Sequence, residues 1–113
     1  LKTPVDGAFN QRLNKRLESF LGLMAYMQST KAIAEDDLDF AQKSLDIYRL
    51  IEPLNPEHFY LGAVVSMKLG DKKAAESYLE QAVVLGFNNT QRLDNEPVFS
   101  DLESKPALLE MMQ

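Results

Sequence analysis

Chemistry near neutral pH usually starts from a histidine, and this chain has one, His58. It stands in Asn55-Pro56-Glu57-His58, a sequence that opens a helix, where the positive end of the helix dipole lowers an imidazole pKa. A Ser-His-Asp arrangement would have to use it, yet no nucleophile-elbow sequence is present. The reading is therefore a solvent-facing or capping histidine. Cysteine is absent, which excludes a thiolate nucleophile, a zinc-thiolate site and disulfides. The densest carboxylates, Glu35-Asp36-Asp37-x-Asp39, lack the glycine and the distant bidentate glutamate of a calcium loop. They are expected instead to favour the N-terminus of the following helix, by roughly 0.3 to 1 kcal/mol each. The five glycines are dispersed, so no loop cradles a phosphate. No catalytic residue, metal ligand or cofactor is expected, and the chain is read as not an enzyme.

The other charges bound the partners. The chain has 113 residues, with 12 basic against 17 acidic side chains, a balance that repels phosphate backbones and argues against nucleic acid. No apolar run approaches the ~18 residues of a membrane span. Hydrophobic content of 45% and charged content of 26% are ordinary for one soluble globular domain and fit cytoplasm and periplasm equally. Because it begins at Leu1 without methionine, the chain is expected to be part of a longer one. Arg12, Lys15 and Arg16 read as the wet side of a helix, Lys72-Lys73 as a solvated pair that opposes a helix dipole, and Met24, Met27 and Met67 as adaptable core filler.

The elements that carry these residues follow from spacing. Residues 1–7, with Pro4 and Gly7, read as a flexible lead-in. Phe9, Leu13, Leu17, Phe20, Met24 and Met27 then mark an apolar stripe, which predicts one long helix over about residues 8–34. Its first half is expected to cover the end of the molecule or to pack on a preceding domain. Asp37 caps a helix carrying Leu38, Ala41, Leu45 and Tyr48 until Pro53 stops it. Asn55 opens the next helix, Gly70-Asp71 ends it and caps another, and Gly86 ends that one. The plan is thus one all-α domain: a long helix and first hairpin over 8–54, a second hairpin over 55–87, and a proline-punctuated cap of short helical turns over 88–113.

The hairpins repeat. Ala41, Leu45, Tyr48 and Pro53 precede Ala75, Leu79, Ala82 and Phe87 by one constant offset, and the same offset separates Tyr26, Ser29 and Asp37 from Tyr60, Ala63 and Asp71. It matches the period of about 34 residues that marks one kind of helix-turn-helix array. This period, together with Phe59-x-x-Gly62-Ala63, Gly70-Asp71, Ala75, Leu79 and Ala82, resembles the tetratricopeptide repeat family. Asp36-Asp37 stands for Gly-Asp in the first copy, and Gly62 and Phe87 depart from the family's leucine and proline. The tail from Gly86-Phe87 through Pro97-x-Phe99-x-x-Leu102 to Pro106-x-Leu108-Leu109 resembles the segment that ends bacterial arrays of this kind.

The resemblance implies a right-handed superhelix of about two hairpins and a non-catalytic scaffold or adaptor whose first helices line a concave groove for a protein or peptide. Carried over by position, that groove is Leu23, Tyr26, Thr30, Ile33 and Ala34 from one repeat, and Glu57, Tyr60, Val64, Met67 and Lys68 from the next. Tyr26 and Tyr60 are its candidate hot spots, unless both simply pack between helices. The basic carboxylate clamp of some members is absent: Tyr26, Thr30, Tyr60 and Val64 hold those places. The bound segment is expected to be apolar or aromatic. Two other readings stand beside this one: self-association through the groove and first helix, and a small-ligand pocket between long helix and tail, containing His58.

Overall fold

The computed structural model describes residues 4–113, with side chains described from Asn10 onward. Helix α1 spans Pro4–Ala34, α2 Leu38–Ile51, α3 Glu57–Lys68, α4 Lys72–Val84, α5 Thr90–Asn95 and α6 Lys105–Met111, with a 3-10 turn at Pro97–Phe99 between the last two. No strand occurs among the described residues. Residues 1–3 of the expected lead-in, and the side chain of Phe9, lie outside the described part. The rest of the lead-in is helix: Pro4 starts α1, because a ring-fixed φ and a missing N–H suit a first helical turn.

Three helices end in the same way. The N–H of Asp37 donates to Ala32 O (2.9 Å), that of Asp71 to Ser66 O (2.8 Å) and that of Phe87 to Ala82 O (2.9 Å). Each of these closures needs a left-handed residue just before it. Gly70 and Gly86 supply it at φ 83° and 106°, and Asp36 does so at φ 58°, a conformation that aspartate tolerates better than most side chains. The next helices are capped alike: Asp37 accepts from Phe40 N and Asp71 from Ala74 N. Asn89, one repeat offset after Asn55, caps α5 through Arg92 N.

Packing follows the same spacing. α1 lies on α2 and α3 on α4, and α2 joins the hairpins through α3. Ala41, Leu45 and Tyr48 are buried, and so are Ala75, Leu79 and Ala82. Ser29 and Ala63 are both fully buried; the Ser29 hydroxyl donates to Ala25 O at 2.7 Å and is satisfied within its own helix. The tail closes the far side, burying Phe87, Leu93, Phe99, Leu102 and Leu108 against α3 and α4.

The opposite end stays open. Residues 10–21 of α1 are exposed without exception, so this half of the helix does not cover the molecule as expected. Met24 and Met27 are 40% and 54% exposed and are not core filler; of the three methionines so expected, Met67 alone packs at the core's edge. No element of the described chain reaches that side of α1, whereas the tail reaches the other end.

Candidate functional site

The helices α1, α3 and α5 enclose a cleft of about 330 Å³. One wall is Thr30, Ile33 and Ala34, the floor is Tyr60, Leu61 and Val64, and Lys68, Asp36, Arg92 and Glu96 form the ends. Thr30, Ile33, Tyr60, Val64 and Lys68, all expected to share a groove, therefore do converge. Leu23, Tyr26, Glu57 and Met67, expected in the same groove, do not line the cleft.

The tyrosines differ in a way their equal spacing conceals. Tyr60 is only 1% exposed. Its ring stacks on Phe87 at 4.7 Å and meets Phe99 edge-on at 5.7 Å, while its hydroxyl donates to Arg92 O at 3.3 Å. Burial pushes its pKa up to about 12. Tyr26 is half-buried and meets Tyr48 edge-on at 6.2 Å. They are not a matched pair of exposed hot spots, because the tail supplies Phe87 and Phe99 to one ring only. Tyr48 is itself buried, and burial together with nearby Glu52 and Glu57 raises its pKa to about 12.

At the cleft ends Arg92, Lys68 and Asp36 are paired, while Glu96 makes no ion pair among the described residues. Arg92 Nη1 donates to Glu57 Oε1 at 2.6 Å, and its guanidinium lies 4.1 Å from the centre of the Tyr60 ring. The bond to Glu57 raises the Arg92 pKa. Lys68 Nζ lies 3.0 Å from Asp36 Oδ1. The Thr30 hydroxyl is shared between Tyr26 O and Met27 O. Between the ion pairs the floor side chains are apolar but nearly buried, so the accessible lining is polar and apolar in about equal measure and holds no reactive group. Sequence reasoning misses Arg92 and Glu96, because it reads the tail only as a cover. The available signal is Asn89, one repeat offset after Asn55, whose side chain accepts from Glu57 N just before α3 while Pro56 is that helix's N-cap; it marks a helix there.

His58 is fully buried, which corrects the solvent-facing expectation. Its ring lies 4.3 Å from Phe59 and 5.8 Å from Tyr48. Arg49 Nε donates to Nδ1 at 3.4 Å, and Nε2 donates to Pro53 O at 3.0 Å, a pairing that requires the neutral ring with its proton on Nε2. The pKa is lowered mainly by burial, with the charge of Arg49 adding to it; the helix terminus is not the principal cause. A second cavity of about 320 Å³ opens between α2, α3 and α4, with its charges paired as Lys43–Asp39 and Arg49–Asp46 at 3.2 Å each. His58 lines neither cavity. Among the described residues no three carboxylate or histidine side chains gather as a metal site, and no helix is long and apolar enough to cross a membrane.

Comparison with models of known protein families, with curated proteins and with solved structures gave no match.

Proposed function

We propose that the chain is a non-catalytic protein-interaction module, a tetratricopeptide-like stack of two helical hairpins that holds a partner segment in the cleft between α1, α3 and α5. The observation that carries this reading is the convergence of Thr30, Ile33, Tyr60, Val64 and Lys68 on one concavity, at positions that the tetratricopeptide resemblance implies. The equivalent turns and buried alanines of the two hairpins support the repeat architecture. A non-catalytic role is supported by His58, whose ring nitrogens are both engaged inside the core.

The partner is an extended segment that places an apolar or aromatic side chain over Ile33 and Val64. With Arg92, Lys68 and Asp36 already paired and Glu96 the one flanking charge without an ion pair among the described residues, its affinity depends weakly on salt. Thr30 is the better residue to alter, because replacing Tyr60 would damage the core. A peptide selected from a library of apolar and aromatic decamers is expected to shift the amide and methyl resonances of Thr30, Ile33 and Val64. It is also expected to lose at least ~10-fold in affinity for Thr30→Arg. Resonance shifts confined to other surfaces would overturn the assignment.

A further inference from the structure

The outward side of α1 carries Leu13, Leu17, Phe20, Met24 and Met27, all 40% to 58% exposed. Their steps of four, three, four and three residues give a mean period of 3.5, the seam of a two-helix coiled coil, not the 3.6 of a helix laid on a globular core. Beside the seam, Met24, Met27, Gln28 and Lys31, with Thr30, line a shallow apolar depression of about 460 Å³. Residues spaced i, i+3, i+4 and i+7 are the four that form a hole for one side chain of a facing helix.

We propose that this face is a homodimer interface in which α1 pairs antiparallel with α1 of a second copy. Area argues for an occupant of this size. Five large side chains, each about half exposed, present on the order of 500 Å² of apolar surface, at the upper end of what a monomer leaves uncovered. With the residues flanking the seam, each copy approaches the ~800 Å² per partner of a standard interface.

Charge selects the direction. The described first half of α1 has Arg12, Lys15 and Arg16 against Glu18 alone, while Glu35 and Asp37 follow its other end, where Lys31 is the one basic residue of the last turn and Asp36 and Asp39 are already paired with Lys68 and Lys43. Antiparallel pairing with Phe20 opposite the second copy's Met24 seats Leu17 in the hole beside Met27. It also brings Arg12 within about one helical turn of the second copy's Glu35. Parallel pairing would instead juxtapose like basic residues and place two acidic bodies side by side.

Sedimentation velocity from low to high micromolar concentration is expected to show a monomer-dimer equilibrium. Leu17→Glu is expected to weaken it at least ~10-fold with an unchanged helical circular-dichroism spectrum. Leu50→Glu, at a site 83% exposed on α2, is expected to leave it unaltered. Because the chain has no cysteine, a spin label at Asn14→Cys reports direction: antiparallel pairing separates the two labels by about 24 Å along the axis, parallel pairing by about 10 Å. A monomer at every concentration, a dimer indifferent to Leu17→Glu, or the short distance would each overturn the proposal.

Discussion

Met24 and Met27 on α1 stand one repeat offset before His58 and Leu61 on α3, yet the first pair is 40% and 54% exposed and the second is buried. The spacing that makes the two helices alike cannot say which has a neighbour. α1 and α2 both pack on α3, whereas no described element covers Met24 and Met27 on α1. Burial here is a property of how the two helical hairpins pack, not of the single helix.

Substitutions at matched sites separate what the two regions share from what they do not. The largest contrast is between the buried tail and the open stripe. Phe99→Ala removes a fully buried ring and is expected to cost about 3 to 5 kcal/mol, while Phe20→Ala, studied at concentrations where the chain is monomeric, costs under ~0.5 kcal/mol. Urea unfolding midpoints check both, and equal losses would erase the distinction. At the caps the hairpins are predicted to behave alike. Asp37→Ala and Asp71→Ala should each cost about 1 kcal/mol by the same measurement, and a difference of more than about twofold would show unlike turns.

The left-handed residues sharpen the comparison at a smaller scale. Gly70→Ala is expected to cost about 1 kcal/mol. Asp36→Gly is expected to be nearly neutral, because relief of a positive φ is offset by loss of the ion pair with Lys68. The gentlest effect is on pH dependence. Folding favours neutral His58, whose pKa lies below the ordinary 6.5, so its contribution is complete above that value and is lost progressively as pH falls below it. Thermal midpoints are expected to drop between pH 7.5 and 5.5 in the wild type and to drop less in His58→Gln.

Turn chemistry is the most legible part of the fold. Asp-Asp and Gly-Asp announce the same left-handed exit and the same cap, and small residues at Ala41 and Ala75 announce where helices touch. Thr30, Ile33, Tyr60, Val64 and Lys68 are reached through the resemblance rather than the repeat offset, since Tyr26 and Met67, the offset mates of Tyr60 and Ile33, do not line the cleft. What escapes is whatever a second element decides. Burial of Tyr60 depends on Phe87 and Phe99, burial of His58 on Tyr48, Phe59 and Arg49, and exposure of the α1 stripe on the lack of a partner helix. Arg92 enters the cleft from a helix too short for its periodicity to stand out.

The open face of α1 can be tested through its methionines, which hydrogen peroxide oxidises in proportion to exposure. Peptide mass spectrometry at rising protein concentration is predicted to show Met24 and Met27 becoming protected, while Met111, 58% exposed at the other end of the chain, oxidises at an unchanged rate. Oxidation of all three at concentration-independent rates would contradict pairing through α1.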